Sequence, residues 1–182
     1  MYITRNKNKL VELLRQDKRT FRTSDLSVLW GITNTNTLLT TIARFIKNQS
    51  LHRIKKGVYS TIPIDKLDPY EYACAYAGPL SYITAETVLF NSGVINQYVT
   101  AITMCGVKSI EFYLGATHYI CRYLAPKYLS NRLGIMDNGR YAIANPARAL
   151  IDKRHQNPNY YFDNSQLAHI SNEEEVYART KA

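Results

Sequence analysis

Asn34, Asn36, Thr37 and Thr40 carry short hydrogen-bonding side chains within one brief stretch, and the cations Arg44, Lys47, Arg53, Lys55 and Lys56 follow them. Amides and hydroxyls in such a run can read base edges in the major groove of duplex DNA. Guanidinium and ammonium groups contact guanine edges or neutralise phosphates. Arg19 and Arg22 add two more positive charges just upstream. A chemical reaction would need a different set. The chain has no phosphate-binding glycine loop, no HExxH and no GxSxG. His52, His118, His155 and His169 are scattered, none at metal-ligand spacing with another His or Cys. His118, in an aromatic stretch, reads as a hydrogen-bonded strand residue. Asp152, near Arg148 and Arg154, is expected to make an ion pair on a helix surface. Glu111 is the one acidic residue that could join it in a metal-dependent nuclease. No catalytic set, metal site or cofactor is expected.

The elements that position these residues follow from periodicity. Leu10, Val11, Leu13 and Leu14 mark one face of a short helix over residues 6–16. Phe21 is an apolar anchor, and Thr23 or Ser24 can cap a second helix through Leu26, Val28, Leu29 and Trp30. Gly31 ends that helix, since a left-handed residue there costs glycine little. Asn34 or Thr35 then caps a third helix, and so short a glycine-containing turn between helices is helix-turn-helix spacing. At about 100° per residue, Leu38, Leu39, Ile42, Phe45 and Ile46 of the third helix fall within an arc of about 120°. Asn36, Thr37, Thr40, Arg44 and Lys47 fall on the opposite side. A recognition helix has this character, although an ordinary amphipathic surface helix has it too. Residues 51–55 and 58–62 read as two strands joined at Lys56-Gly57. This basic hairpin, directly after the third helix, stands where the wing of a winged helix would be. A merely solvated hairpin is the alternative.

Charge is distributed to match. Residues 1–60 hold twelve Lys and Arg against three acids, while the other 122 residues hold eleven of each sign. All of the formal +9 therefore lies in one third of the chain, which is stronger evidence for a polyanionic partner than net charge alone.

The remaining two thirds are neutral and rich in tyrosine. Asp68-Pro69-Tyr70-Glu71 opens a helix over about 69–77 with a capping-box pattern, and a second helix begins near Thr84 and ends at 91–93. Between Tyr98 and Leu124 the breaks at Gly106 and Gly115 divide three strands. Asp137-Asn138-Gly139-Arg140 predicts a further hairpin between Ile135 and Ile143. Asn145-Pro146 caps a helix through Ile151, and Glu173, Glu174 and Glu175 head a possible last one. Cys74, Cys105 and Cys121 lack CxxC spacing and read as reduced, buried thiols. No apolar run is long enough for a membrane span, and no apolar segment follows the basic N-terminus as in a leader peptide. A cytoplasmic protein is expected. The expected fold is α+β: a winged helix-turn-helix over 1–62, a mixed α/β domain with an antiparallel sheet over 68–155, and a polar tail or helix over 156–182.

The order of four segments resembles a known family. They are Arg53-Ile54-Lys55-Lys56-Gly57-Val58-Tyr59, then Asp68-Pro69-Tyr70-Glu71-Tyr72-Ala73, then residues 82–89 (YITAETVL) with Gly93-Val94-Ile95, then residues 141–152 (YAIANPARALID). Together, over roughly residues 8–155, they resemble the AbiEi family of type IV antitoxins. That resemblance implies a transcriptional autorepressor whose N-terminal domain binds inverted repeats of operator DNA, with cooperative dimer binding to two repeats a further expectation. It also implies a C-terminal domain that opposes a nucleotidyltransferase-like toxin, with direct contact left open. A nucleic-acid enzyme targeted by the winged helix, or an RNA-binding regulator, are the competing readings.

If the basic third binds duplex DNA, replacing Lys55 and Lys56 together should weaken binding to every sequence. It should also flatten the dependence of affinity on salt, as read by titration at several ionic strengths.

Overall fold

The computed structural model describes residues 2–177 and divides the chain into two compact units, Met1–Tyr76 and Ala77–Ala182. The first unit runs past residue 62 to take in most of a helix at Pro69–Ala77. Both units mix helix and strand, and the described residues hold seven α-helices and two sheets.

In the first unit the order is α1 (Tyr2–Leu14), β1 (Thr20–Arg22), α2 (Thr23–Trp30), α3 (Thr35–Lys47), β2 (His52–Lys55), β3 (Val58–Ser60) and α4 (Pro69–Ala77). Strand β1 was not foreseen from the sequence. Phe21 is more than an anchor: it lies in β1, opposite Tyr59, in an antiparallel sheet ordered β1-β3-β2. The expected cap of α2 also shifts. Thr23 is the first helical residue, and its hydroxyl donates to Gly57 O instead. Arg22 holds the capping position in extended conformation, its N–H donating to Asp25 Oδ2 at 3.0 Å. Gly31 ends α2 at φ +60, as the sequence required. The core gathers Leu13, Phe21, Leu26, Trp30, Leu38, Ile42, Phe45, Leu51 and Tyr59, with Trp30 and Phe45 ring centroids 5.0 Å apart. Trp30 Nε1 donates to Lys9 O at 3.2 Å, which satisfies the indole and ties α1 to α2. Leu39, at the margin of the apolar arc, is largely exposed.

In the second unit come β4 (Tyr82–Ile83), α5 (Glu86–Asn91), β5 (Ala101–Gly106), β6 (Ile110–Leu114), β7 (Thr117–Tyr123), α6 (Pro126–Ser130), β8 (Ile135–Asp137), β9 (Ala142–Ala144) and α7 (Pro146–Gln156). The sheet order is β6-β7-β5-β4-β9-β8. The expected hairpin is present, β8 with β9, and of the three expected strands β6 and β7 pair antiparallel as well. The sheet is mixed rather than antiparallel, because β5 pairs parallel to β7 and β4 parallel to β9. Residues 82 and 83, expected only to lead into a helix, form the strand that joins the two halves. Helix α5 accordingly starts at Glu86 instead of near Thr84, whose N–H donates to Thr103 O. Between them Ala85 adopts φ +56, a conformation rare for a residue with a Cβ. The segment after α7 holds two short 3-10 turns, Ser165–Ala168 and Glu173–Val176, the second in place of the expected last helix.

Helix α7 carries a buried ion pair. Arg148 and Asp152 are both fully buried, with Nε 2.8 Å from Oδ1. The expectation of a surface pair at Asp152 was wrong. One helical turn separates the two residues either way, but the helix turns this face inward. The guanidinium has five N–H groups, and all are satisfied. Nε–H meets Asp152, one terminal nitrogen donates to Asn131 O and Leu133 O, and the other to Tyr82 Oη and Tyr128 O. Asp152 accepts in addition from the hydroxyls of Tyr82, Thr84 and Tyr177. Burial, then the neighbouring Asp152 carboxylate, push the Tyr82 and Tyr177 phenols far above their ordinary range, so both stay protonated donors. Beside this pair, Glu86 bridges Arg122 Nη1 at 2.7 Å and Lys153 Nζ at 2.5 Å. Burial raises the Glu86 carboxyl, but the two cations outweigh it and hold it below its ordinary value. All three cysteines are buried and outside any disulfide.

Asp152→Ala would leave a buried guanidinium without its carboxylate, and should destabilise the protein by about 3–5 kcal/mol. Tyr177→Phe, which deletes one hydroxyl bonded to that carboxylate, should cost less, about 1.5–3 kcal/mol. Urea midpoints of the two variants check the contrast.

Candidate nucleic-acid interface

Helix α3 is fixed at its start by Asn34, whose Oδ1 accepts from the Thr37 N–H at 3.0 Å. A short acceptor there satisfies one of the N–H groups that a helix start leaves unpaired. From that cap onward the helix buries Leu38, Thr41, Ile42 and Phe45. Asn36, Thr37, Thr40, Arg44 and Lys47 are all exposed. The five residues expected on the polar face are therefore held together on one outward side by the packing of the other. Thr41 escapes the two-class pattern. It is a buried hydroxyl residue, made tolerable because Oγ1 donates to Thr37 O at 2.8 Å. Thr40 Oγ1 donates likewise to Asn36 O at 2.8 Å, and Thr37 Oγ1 to Asn34 Oδ1 at 3.2 Å.

Strand β2 begins a few residues beyond α3. Leu51 and Ser50 both donate their N–H to Phe45 O, so the helix end and the hairpin start are tied by backbone. At the hairpin tip Gly57 takes φ +81, which the tight turn requires. Gly57 O accepts the Thr23 N–H at 3.0 Å, and Arg22 stands opposite Val58 in the sheet register. Arg22 and the tip residue Lys56 are brought together by these bonds, although more than thirty positions separate them in sequence. Arg53 and Lys56 are exposed.

Lys55 behaves differently. It is half-buried, its ammonium donates to the Tyr76 carbonyl near the C-terminal end of α4, and it lies 4.9 Å from the Tyr76 ring centroid. A cation is well placed there, because the last carbonyls of a helix carry partial negative charge. Sequence alone gave Lys55 and Lys56 one role; the fold separates them. Arg19 and Arg22 are half-buried, with Arg19 O accepting the Thr61 N–H. Lys18 is engaged locally, 2.6 Å from Asp25. Burial pushes the Asp25 carboxyl up. The Lys18 hydrogen bond, the Arg22 N–H and the charges of both cations outweigh that and leave it below its ordinary value.

Glu111 and Asp152, the candidate acids, each have a different basic partner. Glu111 in β6 is exposed and meets His118 Nε2 of β7 at 2.7 Å, which makes His118 a hydrogen-bonded strand residue. Asp152 is enclosed with Arg148. Among the described residues no group of three or more His, Cys, Asp or Glu could hold a metal ion. Among the same residues no helix is long and apolar enough to cross a membrane. Compared with known protein families and with curated proteins, the chain matches none of them.

Asn34→Ala deletes the cap of α3 and should cost about 1 kcal/mol of stability. The fall in thermal midpoint should be largely recovered by Asn34→Asp or Asn34→Ser, which restore an acceptor.

Proposed function

We propose that the first unit is a winged helix-turn-helix that binds double-stranded DNA, with α3 as its recognition helix and the β2-β3 hairpin as its wing. The observation that carries this reading is the outward face of α3. It presents hydrogen-bonding side chains early and cations late, within residues 1–60, the stretch that holds all of the chain's excess positive charge. The order of elements supports it as well: a short glycine-ended turn joins α2 to α3, and a hairpin with exposed Arg53 and Lys56 follows directly. Helices so placed enter the major groove with their N-terminal residues toward base edges, while cations flank them on phosphates.

On this reading the protein is a sequence-specific transcriptional repressor acting on its own operator, cytoplasmic and without enzymatic activity. The resemblance of the four quoted segments to the AbiEi antitoxins extends the proposal to the second unit. Its task would be to oppose a nucleotidyltransferase-like toxin encoded beside it. Co-expression with such a toxin tests this part: growth should be rescued by the full chain, and rescue should survive variants of α3 that abolish DNA binding.

For the DNA part, mobility shifts should favour the chain's own promoter over random duplex, with unlabelled RNA a poor competitor. Equal affinity for promoter and random duplex would remove the repressor reading, and preference for RNA would replace it. The position of Lys55 sharpens the expected mutant pattern. Lys56→Gln alone should flatten the slope of log affinity against log salt by about 0.9, the value of one phosphate contact. Lys55→Gln should leave that slope nearly unchanged and lower the melting temperature instead.

A further inference from the structure

The exposed hydroxyls of Thr37 and Thr40 in α3 are already committed as donors. A threonine hydroxyl has one hydrogen and two acceptor lone pairs. The Thr37 hydrogen goes to Asn34 Oδ1 and the Thr40 hydrogen to Asn36 O. Each side chain therefore offers the outside an acceptor oxygen and a γ-methyl group, and no donor. Asn36 differs from both. Its carboxamide is exposed and makes no hydrogen bond to any other described residue, so it offers a donor and an acceptor side by side.

In the major groove the donors are adenine N6 and cytosine N4, and the one apolar group is the thymine methyl. An A·T pair presents a donor and a methyl in the same step, matching both groups of a back-bonded threonine. A G·C pair presents the cytosine N4 donor but no methyl, and sets the guanine O6 and N7 acceptors beside it. Those acceptors would face a hydroxyl oxygen with no hydrogen to give. A free asparagine carboxamide pairs in two-point fashion with adenine N6 and N7.

From this geometry, and resting on the DNA-binding reading of α3, we propose that Asn36, Thr37 and Thr40 specify A·T base pairs. Guanine is refused at those positions, and the guanine contacts of the site are left to Arg44. Thr41, back-bonded in the same way but buried, takes no part.

Enrichment of bound duplexes from a randomised pool, at fixed salt, with wild-type full-length protein and three variants, tests the assignment. The wild type should select a short run of A·T pairs. Asn36→Ala should lower affinity for the selected site by about 5- to 150-fold while leaving random duplex nearly unchanged. Thr40→Val keeps the shape and methyl but loses the acceptor, and should relax one position toward any pair that contains thymine. Thr40→Ser keeps the acceptor and should still prefer adenine there. All these positions are exposed, and a matched melting temperature confirms that each variant folds. A G·C consensus at the positions relaxed by these variants overturns the assignment while leaving DNA binding intact. Failure of the wild type to enrich any sequence removes the DNA reading and the assignment together.

Discussion

A guanidinium shut away from water must have all its N–H groups paired and its charge met, or the buried state is too costly to exist. Arg148 meets that requirement from five directions. Its partners come from β4, from the C-terminal end of α6 and the loop after it, and from the next turn of its own helix. The carboxylate it faces is held in turn by hydroxyls of β4, of the residue after β4, and of Tyr177 near the end of the described chain. The second unit is organised around that one group. Helix α7 buries Arg148, Asp152 and Lys153 alongside its alanines, Leu150 and Ile151, so its inward side is partly ionic. Such a pair is no proof of high stability, since an apolar packing of equal volume can do as well. It does demand one arrangement of strands and loops, because a guanidinium accepts few alternatives.

The first unit is constrained by a different physics. The core beneath α2 and α3 is aromatic and aliphatic, and the charges of α3 lie outside it. What fixes its outward face is a set of short hydrogen bonds within α3 and at its cap, each local in sequence. These bonds decide which hydrogen-bonding groups the helix keeps for itself and which it leaves free. A long-range backbone bond from Thr23 to Gly57 and a nearer one from Leu51 to Phe45 then place the hairpin against the helices. The side chains that could meet a nucleic acid are therefore carried by packed elements rather than by a mobile loop.

Two adjacent lysines show how much a tertiary environment adds. Lys56 sits at the exposed tip of a tight turn, while Lys55 reaches back to the carbonyl of Tyr76. A charge tally treats them alike, and nothing in the alternation of β2 separates them. The β2-β3 register shifts between Arg53 and Lys55, and a one-residue slip turns a side chain to the other face of a sheet. Asp152 is the same lesson with the sign reversed. Four-residue spacing to Arg148 foretold the pair correctly, but spacing is blind to which side of a helix is covered.

The sequence by itself determined the periodic and local features. It sufficed for α2 and α3, the glycine stop at Gly31, a cap at Asn34 or Thr35, the Asn145 cap, the β8-β9 hairpin and the polar face of α3. Each of these depends on residues within a turn or two of one another, where side-chain preference and backbone geometry act directly. Only the tertiary structure decided the rest. It made residues 20–22 and 82–83 strands, because such short segments are strands solely by virtue of their neighbours. It made the second sheet mixed, since parallel pairing joins residues tens of positions apart. It turned Lys55 inward and buried Arg148 with Asp152. The outward face of α3, with which the sequence began, came through as a place of exposed side chains. What the fold added is the hydrogen bonding that leaves Thr37 and Thr40 as acceptors, a property set by where each hydroxyl hydrogen goes rather than by residue type.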